Sequence, residues 1–173
     1  MRPAGLVHSR TKLAELGVLM ADLDELKSLC ASVEALAPGS AAGLTLIDMG
    51  HSRIQRAFFP SLPDAFSAAL TDVPLEPSGF GSCVKAIATG RTITCPDVET
   101  DQVFDESWRK VCLLYGLKAI QSRPVFVSLK ARGTFVLAYR EPKPESEWDE
   151  ALMIFAADAA SATLSKQERT GAL

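Results

Sequence analysis

The stretch AIQSRPVFVSLKARGTFVLAYR, residues 119–140, decides the architecture. It reads as two strands, Ala119 to Ser128 and Thr134 to Arg140, joined by a tight connection around Lys130 to Gly133. Strands separated by so few residues pair antiparallel. The expected frame is therefore an antiparallel sheet, not a parallel wound array.

Working outward, Gly43 to Asp48 reads as a short strand, Gly50-His51 as a turn, and Arg53 to Phe59 as its hairpin partner, stopped by Pro60 and Pro63. Asp64 to Leu70 suits a short helix with Pro63 in its first turn. Residues 71–80 have loop composition. Gly81 to Thr89 reads as a second short helix closed by Gly90. Arg91 to Cys95 is a strand, and residues 96–118 a loop passing into a helix that ends at Gly116.

Two long helices frame this middle. Residues 11–37 place Leu16, Leu19, Leu23, Leu26, Cys30 and Val33 at alternating spacings of three and four, with Leu13, Met20, Leu29 and Leu36 widening the stripe. At about 1.5 Å per residue this helix is roughly 40 Å long, and Pro38-Gly39 ends it. After Glu141-Pro142-Lys143-Pro144 breaks the chain, Glu145 to about Lys166 forms the last helix, with Trp148, Leu152, Phe155, Ala159 and Ala162 on one stripe. The element order predicts an α+β fold with five or six antiparallel strands. The terminal helices should cover one face and the mid-chain helices the other.

Composition narrows the function. Of 173 residues, 47% are hydrophobic and 23% charged, an ordinary globular mix. A net charge of -3 supplies no basic field for a phosphate backbone, so a nucleic-acid partner is not expected. No run reaches the roughly 20 apolar residues of a membrane span, and no apolar block with a cleavage site follows the N-terminal basic residues. A cytoplasmic domain with no membrane partner is the expectation. Cys30, Cys83, Cys95 and Cys112 lie far apart with no C-x-x-C spacing, which favours free thiols over a disulfide framework. The two histidines, His8 and His51, offer little to metal or haem.

Four ordered segments carry a family resemblance. They are Pro77-Ser78-Gly79-Phe80-Gly81-Ser82-Cys83 with Ala86 and Thr89-Gly90-Arg91; Pro96-Asp97-Val98 with Trp108 and Tyr115-Gly116-Leu117; Gln121-Ser122-Arg123-Pro124-Val125; and Gly133-Thr134-Phe135 through Tyr139-Arg140-Glu141-Pro142. Together, over residues 41–165, they resemble the GAF family of sensory domains. The resemblance implies a profilin-like sheet of the GAF/PAS kind whose covering layer of short helices and loops holds a ligand. The chain departs from the family's pattern with Val84 and Lys85 after the cysteine, Gln121 where an aromatic often stands, and a short final hairpin. The expected organisation is a flexible N-terminus (1–10) and one domain (11–167). That domain comprises a dimerisation or signalling helix (11–37), sheet and pocket (41–142) and a C-terminal helix (145–166), before a tail (168–173).

The candidate ligand site is assembled from this layer. The turn at Gly79 to Cys83 opens a helix, where free N–H groups and the helix dipole suit an anionic or polar group, and Lys85 would add a charge. In the plainer alternative, the glycines only turn the chain and Ser82 caps the helix. Cys83 is either a thiol of lowered pKa or a small buried residue. Phe80, Phe104, Trp108, Cys112 and Tyr115 are either pocket walls or simple core. Arg123 either faces solvent with Gln121 or pairs with an acid or an anionic ligand, which leaves Ser122, on the opposite face, as the pocket residue. The acids Asp97, Glu99, Asp101 and Asp105 read as a solvated loop.

No catalytic set, metal cluster or dinucleotide-binding glycine pattern is found, and no cofactor is identified. The expected function is that of a non-enzymatic sensory domain. It would bind a small molecule, pair as a homodimer through its terminal helices, and pass occupancy to a kinase, cyclase or transcription regulator, as in two-component signalling. A ligand-free dimerisation module is one alternative. A free methionine sulfoxide reductase is another, because some GAF proteins carry that activity on cysteines near the pocket, and Cys83, Cys95 and Cys112 fall in loosely comparable regions.

Overall fold

The two strands of the 119–140 stretch are β4 (Ala119–Val127) and β5 (Lys130–Tyr139) of one antiparallel sheet. The structure, a computed structural model, describes residues 23–48, 50, 52–76 and 81–170. The remaining strands are β1 (Ser40–Asp48), β2 (Arg53–Phe58) and β3 (Ile93–Cys95). Among the described residues the sheet has five strands in the order β2-β1-β5-β4-β3, every neighbour antiparallel. The helices are α1 (described over 23–36), α2 (Asp64–Leu70), α3 (Ser82–Thr89), α4 (Glu106–Leu114) and α5 (Glu150–Thr170).

The last hairpin differs from expectation at its turn. Lys130 to Gly133 are strand, and the reversal is made by Ser128 and Leu129 alone, at φ 50° and 65°. Positive φ at both central residues suits the twist of paired strands, but Asn or Gly usually supplies it. Arg132 bulges, since the pairing steps from Val125↔Gly133 to Phe126↔Ala131. Pro124 lies two residues beyond the reach of β3, which pairs only with Ile120, Gln121 and Ser122. There β4 becomes an edge, the place where a sheet tolerates proline.

Side-chain alternation divides the interior into two cores. On one face α1 and α5 bury Leu26, Cys30, Val33, Met153, Ala156, Ala160 and Leu164 against Leu44, Val125, Phe135 and Leu137. On the other, α2, α3 and α4 bury Phe66, Cys83, Trp108 and Cys112 against Ile47, Ile120, Val136 and Ala138. The terminal helices therefore share one face and the short helices the other, as the element order implies. The first half of the 11–37 helix, residues 1–10 and His51 lie outside the described residues. No helix among the described residues is long and apolar enough to cross a membrane.

The last helix corrects the expected stripe and bounds. Glu145–Glu147 make a single 3-10 turn, and α5 starts only at Glu150, where Asp149 Oδ1 accepts from the Leu152 N–H at 2.9 Å. The helix also runs to Thr170, into the segment expected as a tail, whose residues 171–173 lie outside the described set. Trp148 leaves the stripe and meets Tyr139 edge to face at 5.1 Å. Phe155 points outward at 56% exposure; Leu152 stays buried as expected, and Met153, Ala156, Ala157, Ala160 and Leu164 complete the face against the sheet. Small side chains let a helix lie close to a pleated surface; a phenylalanine there would hold it off.

The closest packing in the sheet is at Gly133. A Cβ added there would lie 1.9 Å from the Thr45 carbonyl oxygen of β1. Gly133→Ala must force β1 and β5 apart, and it is expected to cost about 3 kcal/mol, read as a lower urea midpoint with an unchanged slope.

Candidate functional site

The site begins with what the first turn of α3 does. Gly81, at φ 93°, is the N-cap and offers no side chain. Ser82 makes no cap bond; its hydroxyl lies 2.8 Å from that of Ser122 on β4, and both are buried. Next to it, Cys83 Sγ lies 3.4 Å from Ser122 Oγ. On the same sheet face, Thr134 of β5 and Thr45 of β1 are paired across the ladder, their hydroxyls 2.7 Å apart and both fully buried. A row of four hydroxyls and a thiol thus crosses three strands beneath α3.

Above this row lies the aromatic layer. Phe104 and Trp108 are nearly buried and close over Gly81, where an added Cβ would meet the Phe104 ring at 2.6 Å and the Trp108 ring at 2.7 Å. Phe66 stacks on Trp108 at 6.2 Å and meets Tyr115 edge-on at 5.2 Å. The loop bearing Phe104 is held by Arg109, which donates to the carbonyls of Val98 (2.9 Å), Asp101 (2.6 Å) and Phe104 (3.1 Å). The acids beside it serve the backbone: Asp97 and Asp101 accept from N–H groups two residues on, and Asp105 caps α4 at Trp108 N.

Ser82, Cys83, Ser122, Phe104, Trp108, Cys112 and Tyr115 are therefore brought together around one packed region. Phe80 lies outside the described residues. Lys85 does not join: it is exposed on the outer side of α3, because one residue past the buried pair Cys83 and Val84 the helix has turned it away from the sheet. Gln121 and Arg123 do share a face, but α5 covers it. Gln121 is buried and donates to Thr94 Oγ1 at 2.8 Å, and Arg123 pairs with Glu150 at 3.4 Å and donates to Thr92 Oγ1 at 2.9 Å. Sequence reasoning missed Thr45, Thr134 and Arg109. The first two were legible as hydroxyls at the inward positions of alternating strands.

All four cysteines are free and buried. Burial pushes Cys112 up to about 12, helped by the neighbouring Cys83, and pushes Cys30 up to about 12, helped by Glu34. Burial likewise raises Cys83, against the lowering effect of hydrogen bonds led by Ser122, and raises Cys95, with Asp101 adding to it. These are protonated thiols at neutral pH, the opposite of an activated nucleophile. Among the described residues no cluster of His, Cys, Asp or Glu could hold a metal ion.

With this fold and site in view, the chain has the fold of a GAF domain, the class of small α+β modules to which several of its structural neighbours belong. The GAF domain of a phosphoenolpyruvate-protein phosphotransferase from Coxiella burnetii superposes with a TM-score of 0.65 at 15% identity, covering 92% of this chain and 97% of that one. The type II free methionine-R-sulfoxide reductase of Thermoplasma acidophilum superposes at 0.64 with 13% identity, covering 86% and 96%. In sequence, the chain is 28% identical over 145 residues to the methyl sulfide methyltransferase-associated sensor of Methanosarcina acetivorans. That match spans 82% of this chain but only 14% of the sensor's length. No family model matches the chain.

Two outcomes follow from the buried row. Ser122→Ala removes the partner of Ser82 and is expected to cost about 1–2 kcal/mol, whereas the double variant with Ser82→Ala should cost less than the two single losses added together, as denaturant titrations of the set will show. The thiols give a pH effect. Each stays neutral when folded but ionises near 9.0 when unfolded, so the folded state holds more protons above that pH. Their contribution is complete below about 9 and falls as pH rises toward 12. Melting temperature should decline above about pH 9, and less steeply in Cys30→Ala/Cys112→Ala.

Proposed function

We infer that this chain is a sensory module that binds a small molecule beneath α3 and α4 and passes occupancy on through its terminal helices. The carrying observation is the position of β4 between the two layers. Ser122 faces the Ser82-Cys83 turn, while its neighbour Arg123 reaches Glu150 in the first turn of α5 on the other side. A ligand that engages the hydroxyl row must part Ser122 from Ser82, and any shift of β4 is felt at once by α5. Coupling of this kind requires different affinities for the two arrangements. Similarity to a segment of a sensor supports the reading.

In this role the chain is not an enzyme. The buried, protonated thiols of Cys83 and Cys112 suit packing, not attack on a sulfoxide. The outward Phe155 of α5 and Leu36 of α1, 68% exposed, supply apolar surface for a second copy. The paired helices would then deliver the signal to a kinase, cyclase or transcription regulator.

One observation favours a second reading. Ser82 with Ser122 and Thr45 with Thr134 satisfy one another under closely packed rings, so the row does not require a ligand. On that reading the domain only dimerises.

Native mass spectrometry and an absorption spectrum of freshly purified protein, followed by a thermal-shift screen of metabolites, separate the two. The sensory reading expects a retained compound or a stabilising hit, lost in Ser122→Val. A flat screen leaves the dimerisation reading. Sedimentation should show a dimer at micromolar concentration that Phe155→Glu splits, and a monomeric parent protein would end the helix-pairing idea.

A further inference from the structure

A cavity of about 370 Å³ lies at the outer edge of β4, beyond the end of β3, and shares no residue with the hydroxyl row or its aromatic cover. Its volume falls within the range of small-molecule sites, roughly 300–1,000 Å³. Pro124, Phe126 and Ala157 make an apolar floor. Around it stand two guanidinium groups, Arg91 and Arg123, and two carboxylates, Glu150 and Asp158. The formal charges cancel. Such a lining does not favour a simple anion or a simple cation; it complements a ligand carrying both signs.

The geometry sharpens this. Arg123 Nη1 and Glu150 Oε1 are side by side, 3.4 Å apart. The ammonium and carboxylate of a free α-amino acid are held about 3 Å apart by covalent geometry. Laid antiparallel to the Arg123–Glu150 pair, each ligand charge meets its opposite. Arg123 has capacity to spare: Nη1 is used by Thr92 and Glu150, and Nε and Nη2 have no hydrogen-bond partner among the described residues. A guanidinium presents such donors to a carboxylate in pairs. Arg91 and Asp158 likewise have no ion-pair partner among the described residues, so each can close on the ligand from its own wall. The Phe126 ring, 41% exposed, receives the ligand's side chain.

We propose that this edge cavity binds a free α-amino acid. Its walls come from the C-cap of α3 at Gly90, from β4, and from the first three turns of α5. An occupant therefore fastens α5 to the sheet edge independently of anything bound beneath α4.

The test is a set of amide ¹H–¹⁵N titrations of the full chain with each proteinogenic L-amino acid, up to about 10 mM. At least one is expected to shift the amides of Arg91, Thr92, Phe126, Asp158 and Ser161 saturably. The matched carboxylic acid without its amine, and the matched amine without its carboxylate, should bind at least about tenfold more weakly. Arg91→Gln and Asp158→Asn, both exposed side chains, should each weaken binding about tenfold, with the rest of the spectrum showing an intact fold. If no amino acid moves these amides, or if the lone carboxylic acid binds equally well, the proposal falls. Shifts confined to Ser82, Cys83, Trp108 and Ser122 would overturn it while supporting the site beneath α4.

Discussion

The structure depends on a strand with no idle face. Successive residues of β4, like those of β1 and β5, alternate between two cores: Ile120 and Ser122 belong to the α3–α4 layer, Gln121, Arg123 and Val125 to the α5 layer. Because the side-chain period of a strand is two, a slip by one residue would exchange every one of these partners. Ser122 would be thrust against α5, and Arg123 would be driven into the aromatic layer with no acid to receive it, a cost far larger than the loss of any single contact. The register of β4 against β5 is thus held from both sides.

That constraint explains why polar atoms survive in the interior. Thr45, Thr134, Ser122 and Ser82 lie where apolar residues would pack as well, yet a hydroxyl can either donate or accept, so each pair finds a partner without water. Gly81 contributes by omission. Its missing side chain lets Phe104 and Trp108 close over the start of α3, and its positive φ aims Ser82 at the sheet instead of at the helix N-terminus. Arg109 then fixes the lid from outside by holding three carbonyls of the preceding loop. The region is a closely packed core in which the polar row and the rings are layered on one another.

Local chemistry made much of this legible in the sequence. Asp64–Leu70 and the Gly90 cap are governed by a proline at one helix start and a glycine at one helix end, signals that act within a few residues, and both fall where expected. The turn at Ser128-Leu129 was not legible, because neither residue advertises positive φ; tertiary pairing of β4 with β5 imposes it. Lys85 points to solvent because the inward face of α3 is filled by Ser82, Cys83 and Val84, a packing preference that a glycine-rich helix start does not reveal. The stripe of α5 failed for a related reason. Hydrophobicity alone ranks Phe155 as core, but contact with a flat sheet selects for size, and alanine wins.

Selection for size also bears on how the last helix is seated. Ala156, Ala157 and Ala160 let the middle of α5 lie close to the sheet, while Leu152 and Met153 before them and Leu164 after them lodge larger side chains in the same core. Polar ties at its margins add to this: Arg123 to Glu150 at its start, Ser161 to the Phe126 carbonyl in its middle, and Arg132 to Glu168 near its end, with Lys166 to Glu25 linking it to α1 at 3.1 Å. Exposed ion pairs of this sort contribute little each, typically below 1 kcal/mol. The seat of α5 is therefore mainly apolar, and shortening Met153 or Leu164, both 1% exposed, costs more than the loss of any one tie.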